Sequence, residues 1–391
     1  MSADQIRLCH IEHGDSRGVL PAWPAGVFDS CVTDPPYELG FMGKAWDRSG
    51  IANDPALWRE VFRVLKPGAF LIAFGGTRTY HRMVCAIEDA GFEIRDSLHW
   101  IYGSGFPKSL NVSKAIEPAS AASAVWSGWG TALKPSHEPI VLARKPLIGT
   151  VASNVLAHGA GALNIDGCRV AGINPSIARR ETAVRTGHAP GRPGEQGDNI
   201  TNRISPETYM AEHPGELLGR WPPNTLFTHS DTCTDVECDT DCPVRELDAQ
   251  SGVRKSGAMA AGTVRAVRKA VCFGEMSAST TTTFEASEGG ASRFFPVFRY
   301  EAKPSKRARG EGNTHPTVKP VPLMRWLVRL VTRRGGLVLD PFAGSGTTGV
   351  ACVDEGFEFV GIEQELASVE IAKARLSKQS QDHKEGQGQR T

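Results

Sequence analysis

The stretch GLVLDPFAGSGTT, residues 336–348, decides the fold. Its first half is an apolar run of the kind that forms a buried strand. It then enters a turn carrying Gly344 and Gly346, and a helix-forming segment, TTGVACVDEGF, follows at once. A second apolar run, EFVGIE at 358–363, comes next. Strand, glycine turn, helix, strand is the repeating unit of a parallel α/β sheet. In such a unit the glycines let the backbone approach a ligand, the helix start offers oriented N–H groups, and an acid closing the next strand meets ribose hydroxyls. Glu363 occupies that last place. A side chain at Gly344 or Gly346 is accordingly expected to intrude on the ligand. An ordinary tight turn would carry the same glycines, and it is Glu363 that favours the ligand reading.

Working outward, PVPLMRWLVRLV at 320–331 has helical spacing. The amino-terminal end shows the same alternation. FDSCVTD at 28–34 reads as a strand, DPALWREVFRVLKPG at 54–68 as a helix stopped by Pro-Gly, AFLIAFGG at 69–76 as a buried strand and YHRMVCAIEDAGF at 80–92 as a helix. Both ends of the chain thus supply pieces of one sheet. Between them, residues 171–215 and 277–290 are polar and punctuated by Gly, Pro or Ser, and are expected to be loops. Residues 377–391 lack apolar anchors and are expected to fray as a disordered tail.

Directly after the strand at 28–33 stand Asp34, Pro35, Pro36 and Tyr37. A tetrapeptide of this kind can simply end a strand, but it also suits one chemistry. The exocyclic amine of a nucleobase is a poor nucleophile because its lone pair is delocalised into the ring. An enzyme must therefore offer acceptors that favour a pyramidal nitrogen. The Asp34 carboxylate and the Pro35 carbonyl can do so, Pro36 helps to fix the backbone, and Tyr37 can stack on an extruded base.

Together DPPY and DPFAGSGTT resemble the amino-methylating DNA methyltransferases. The order, with DPPY first and the glycine loop last, is similar to the permuted beta-type subgroup, including its phage, prophage and restriction-modification members. His315, Thr317 and Lys319 in HPTVKP match that subgroup's companion motif, which the resemblance places at the methionine end of the cofactor. Asp15, in Gly14-Asp15, matches its acid near the cofactor adenine. The resemblance implies a Rossmann-like, circularly permuted S-adenosylmethionine-dependent methyltransferase fold. Asp34, Asp340, Phe342, Gly344, Ser345, Gly346, Thr347 and Glu363 would join those residues around S-adenosylmethionine. It further implies base flipping from double-stranded DNA, and it leaves open a cognate restriction endonuclease and a homodimer as partners. The implied division is a catalytic half at 1–104, an inserted target-recognition region at 105–300, a cofactor half at 301–376 and the tail at 377–391.

Asp at position 34 favours N6 of adenine, since N4-cytosine enzymes of the same fold more often resemble Ser-Pro-Pro-Tyr. Protein-glutamine methylases carry NPPY but place the cofactor loop before it. A catalytically silent DNA-binding protein would have no need to keep Asp34, Tyr37 and Glu363.

Composition sets the remaining bounds. The 391 residues carry a net charge of +1, and nine cysteines stand in a chain with no export signal, so reduced thiols and a cytoplasmic location are expected. Residues 251–310 hold 11 Lys or Arg against 4 Glu, which fits either a phosphate-facing surface or a solvated basic loop. His229, Cys233, Cys238 and Cys242 approach zinc-site spacing but lack a CxxC pair, so both a metal site and free thiols remain open. Trp126, Trp129, Trp221, Phe294 and Phe295 suit either base stacking or the more usual core position, and core is the expectation.

Overall fold

The computed structural model describes residues 11–40, 45–103, 105, 107, 109–116, 121–170, 220–230, 232–234, 237–255, 264–265, 268–270, 274–276, 279–280, 288–298 and 318–388. The chain divides into two units, one of residues 1–163, 224–245 and 297–391, the other of residues 164–223 and 246–296.

The first unit is built on a nine-stranded sheet. Its strands are β1 (Ile11–His13), β2 (Phe28–Thr33), β3 (Leu65–Phe74), β4 (Glu93–Ile101), β5 (His137–Arg144), β6 (Thr225–Thr228), β7 (Val297–Phe298), β8 (Leu337–Asp340) and β9 (Glu358–Glu363). The spatial order is β1-β9-β8-β2-β3-β5-β4-β6-β7. Within this sheet β5 runs antiparallel to both of its neighbours, β3 and β4, and the other pairings are parallel. Among the described helices are α1 (Ser16–Val19), α2 (Pro55–Val64), α3 (Tyr80–Asp89), α4 (Val151–His158), α5 (Pro243–Ser251), α6 (Val321–Val331), α7 (Thr347–Glu355) and α8 (Leu366–Gly388), beside two short helical turns at Val112–Ala115 and Ala121–Val125.

Local chemistry explains the boundaries. Asp54 caps α2 by accepting from the Ala56 amide at 2.9 Å, Pro55 takes the first helical position, and Leu57, Trp58, Val61 and Val64 form its buried face. Trp58, Phe28, Leu65, Leu71 and Ile87 are fully buried in the core between this helix layer and the sheet. β2 is buried along its whole length, including Asp29. That carboxylate is satisfied by Lys66 Nζ at 2.7 Å and by the Leu337 amide at 2.9 Å, so it joins the starts of β2, β3 and β8.

Two expectations about organisation need correction. β5 and β6 lie in the core sheet although they fall inside 105–300, so that segment is not wholly an insert. Strand β3 needs a partner on its far edge, and β5 supplies one by returning antiparallel. Nor does helix end at 377: residues 377–388 continue α8, whose buried residues Val369, Ala372, Arg375 and Leu376 precede them. Residues 171–215 lie outside the described residues. The stretch 277–290, read as loop, holds two short strand pieces, Ser279–Thr280 and Glu288–Gly289.

In the second unit Asp248 accepts from the Ser292 amide and from its hydroxyl, each at 2.7 Å. Arg220 and Arg293 lie over the Phe294 ring at 4.8 and 4.4 Å, and Arg169 lies 5.5 Å from the Trp221 ring. Trp221 and Phe294 are exposed, as are Trp126 and Trp129 of the first unit, whose rings pack edge-on at 5.1 Å. Only Phe295 is partly buried, so the core expectation fails for the other four; they sit on short turns outside the sheet layers.

Gly346 has a packing requirement besides the expected ligand approach. With φ at 78°, a Cβ there would stand 2.9 Å from Ala372 Cβ in α8, so helix packing by itself calls for the glycine. Gly356 has a similar φ of 74° but open space around it. Gly346→Ala should therefore destabilise the fold by about 1–3 kcal/mol, more than Gly356→Ala, which bears only the left-handed backbone cost. Urea unfolding of the two variants beside the parent checks the order.

Candidate active site

At the junction of β8 and β2 the connections of the sheet reverse direction. β8 leads through α7 outward to β9, whereas β2 leads through α2 outward to β3. A crevice opens at the carboxyl ends of such a strand pair. DPPY leaves β2 and DPFAGSG leaves β8 at this point, on adjacent strands from opposite ends of the chain.

Asp340 ties the two loops together. Its Oδ1 accepts from Thr33 Oγ1 at 2.6 Å and from the Phe342 amide at 3.0 Å, and its Oδ2 accepts from Thr348 Oγ1 at 2.6 Å. Complete burial pushes its carboxyl up to about 6, against the pull of these donors. Ser16 Oγ donates to the Pro341 carbonyl, drawing α1 onto the same loop. Arg375 of α8 donates to the Ser345 carbonyl at 2.6 Å and to Thr347 Oγ1 at 3.1 Å, which sets the turn from the other side. Phe342 stands 6.5 Å from the Trp58 ring.

On β9, Glu363 Oε2 accepts from the Gly344 amide at 2.9 Å and Oε1 from the Glu365 amide at 2.7 Å. Burial raises its carboxyl despite those bonds. Gly344 has φ 52°, which a side-chain-bearing residue rarely adopts. Asp15 follows β1, the neighbour of β9; it caps α1 through the Arg17 amide and pairs with the Arg17 guanidinium at 2.6 Å. That pairing holds its carboxyl below the usual range.

The DPPY loop is organised by a buried lysine. Lys319 Nζ donates to Asp34 Oδ2 at 2.6 Å and to Tyr37 Oη at 3.0 Å, and lies 3.3 Å from Glu138 Oε2. Burial alone would lower the ammonium, but Asp34 and Glu138 outweigh it and hold the group above the ordinary lysine value. Tyr37 Oη donates to Glu138 Oε2 at 2.7 Å, and burial beside the two acids pushes the phenol well up. Thr79 Oγ1 donates to the Tyr37 carbonyl at 2.6 Å. Past Tyr37, Glu38 takes a left-handed backbone with φ 55°, held by the buried Asp47 carboxylate, which accepts the Glu38 and Leu39 amides at 3.0 and 3.2 Å. Asp34 Oδ1 is buried and has no hydrogen-bond partner among the described residues.

Most of the residues singled out from sequence therefore stand at one crevice. Lys319, expected at the methionine end of the cofactor, places its ammonium on the DPPY loop. His315 and Thr317 lie outside the described residues. Sequence reasoning missed Glu138, Thr33, Ser16, Thr79 and Arg375. None of the five carries a local motif signal that would have found it.

A DNA methylase family profile matches residues 28–161 and 250–374, which covers both loops of the crevice. The chain belongs to this DNA methylase family. Among curated relatives, Type II methyltransferase M.HindIII of Haemophilus influenzae is 36% identical over 110 residues, 27% of this chain and 36% of that protein. Type II methyltransferase M2.MboI of Moraxella bovis is 48% identical over 61 residues, 16% of this chain and 22% of the relative. The matched stretches thus span about a third or less of these relatives. Among solved structures, the M1.HpyAVI–SAM complex aligns over 94% of this chain and 98% of its own at 15% identity and a TM-score of 0.42. The cytosine-N4-specific PvuII DNA methyltransferase aligns over 95% and 91% at 14% identity, also with a TM-score of 0.42. No helix among the described residues is long and apolar enough to cross a membrane.

The buried Asp340 carboxyl yields a pH prediction. Because its folded value of about 6 lies above the ordinary 3.8, folding takes up a proton between these pH values. The stability contributed by this group is present at low pH and lost as pH rises through about 6. Asp340→Asn removes the titration while keeping an acceptor for Thr33. The stability of the parent relative to the variant should therefore grow as pH falls from 6 to 4, by up to about 3 kcal/mol. Denaturant unfolding across that range is the measurement.

Proposed function

We propose that this chain transfers a methyl group from S-adenosylmethionine to the exocyclic amine of a base flipped out of double-stranded DNA, and that the base is adenine. The observation that carries this reading is Asp34 Oδ1, a buried carboxylate oxygen without a donor among the described residues. Leaving such an oxygen unpaired is costly, and an amino group is the donor it lacks. Lys319 holds the other oxygen, which orients the carboxylate. A second acceptor is available in the Pro35 carbonyl. With Tyr37 fixed by Glu138 and Thr79, its ring can support the face of the base.

Glu363 supports the cofactor assignment. Its oxygens accept the peptide N–H groups of Gly344 and Glu365, and the four lone pairs of a carboxylate leave room for a ribose hydroxyl, while Gly344 adds no side chain beside it. When bound, S-adenosylmethionine supplies an electrophilic methyl group on a cationic sulfur. Asp34 Oδ1 accepts an N–H of the target amine and so favours the pyramidal nitrogen that attacks. The carboxylate also favours adenine over cytosine as target. The exposed Trp126–Trp129 pair and the arginine-stacked Trp221 and Phe294 support DNA contact from within 105–300.

Asp34→Ala should lower single-turnover methyl transfer by about 10²-fold to 10³-fold. Cofactor affinity should change little, because Lys319 keeps Glu138 as a partner and no buried cation is orphaned. A folded variant that binds cofactor and still methylates within about threefold of the parent overturns the role, being far less than such an acceptor contributes. Nucleoside mass spectrometry of treated DNA is expected to show N6-methyladenine. N4-methylcytosine alone would reassign the base.

A further inference from the structure

Away from the crevice, His229, Cys233, Cys238 and Cys242 bring one ligand atom each to within 4.8 Å of one another. We propose that these four residues bind a structural zinc ion. Their residue types are right for zinc: three thiolates and an imidazole form a soft set that closes a tetrahedron with no position left for water or substrate.

The spacing is right as well. His229 Nδ1 lies 3.3 Å from Cys238 Sγ and 3.4 Å from Cys242 Sγ. A tetrahedral zinc with Zn–S of about 2.3 Å and Zn–N of about 2.0–2.1 Å separates sulfur from nitrogen by about 3.6 Å. A disulfide explains the arrangement less well, since it would consume two sulfurs and leave a third thiol and the imidazole converging on nothing. All three cysteines are free. A peptide group also points at one of the sulfurs: the Asp239 amide donates to Cys233 Sγ at 3.3 Å. Donors of this kind stabilise metal-bound thiolates and orient them. The seven acids against one Arg within 231–248 add a field that draws a cation in.

The position explains what the ion would do. His229 follows β6 directly, and its amide donates to the Phe298 carbonyl of β7 at 2.9 Å. Cys242 is buried and immediately precedes α5. The loop between them packs tightly on the residue group after β4, where a Cβ at Gly103 would stand 2.9 Å from Pro243 and 3.1 Å from the Asp241 carbonyl. Few apolar side chains hold residues 229–242 in place, so a metal supplies the cross-link that a hydrophobic core does not.

The full chain, purified without chelator from cells supplied with zinc, should contain about one zinc per chain by elemental analysis. Cobalt(II) exchanged into it should show tetrahedral d–d bands and thiolate charge transfer. Cys233→Ser and Cys242→Ser should lose the metal, whereas Cys85→Ser, at an exposed thiol elsewhere, should retain it. Because ligand variants can fail to fold, the parent protein carries the deciding test: a strong chelator should release zinc, expose three further thiols to a thiol reagent and lower the melting temperature. A folded parent protein with less than about a tenth of a zinc per chain, no cobalt bands and the same melting temperature with or without chelator overturns the site. Methyl transfer is not the readout, so failure here is separable from failure of the proposed activity.

Discussion

One buried ammonium governs the arrangement of the crevice. Two carboxylates, Asp34 from the end of β2 and Glu138 from β5, could not share a dry space with the Tyr37 phenol unless a cation stood between them. Lys319 is that cation, delivered from the segment just before α6. Its three contacts fix the rotamer of Asp34, the tilt of Tyr37 and the approach of β5 to the DPPY loop in a single act. Phe74 and Tyr37 pack their rings 4.9 and 5.2 Å from the same nitrogen, which adds cation–π attraction to the ion pairs.

The second constraint is the join between strands. Thr33 to Asp340 and Asp29 to the Leu337 amide are side-chain bonds across the β2–β8 seam, and Ser30 to Thr332 adds a bond from β2 to the end of α6 beside it. Each satisfies a polar group buried in an otherwise apolar layer, so a slip of either strand would strand several at once. The seam thereby holds the glycine loop and the DPPY loop in fixed relation.

How much of this was legible in the sequence depended on range. The strand–turn–helix segments at 336–348 and 28–37 were readable because their signals are local: apolar runs, turn glycines and prolines. Glu138 was not, because an isolated acid in a strand gains meaning only when β5 returns beside β3. The packing role of Gly346 was hidden too, because its neighbour Ala372 stands 26 positions along, which turn chemistry does not reveal. The exposed tryptophans were misjudged for a related reason: burial belongs to the packed layers, and these residues lie on turns outside them. The tail was read as disordered for want of apolar anchors, and it continues as helix from a segment whose buried residues, at 369–376, precede it.

The seam also bears on how the molecule comes into being during synthesis. Its bonded residues are separated by 302–308 positions, so β2 emerges from a ribosome long before its partner β8 exists. Until then the inner edge of β2 presents unpaired peptide groups and the buried polar side chains of Asp29, Ser30 and Thr33 without their partners, the kind of edge that recruits chaperones or other nascent chains. Pairing over such distances also makes the late step of folding slow relative to the local β2–α2–β3 unit. Yield in a heterologous host should thus depend more on translation rate and chaperone supply than on the final stability of the folded chain.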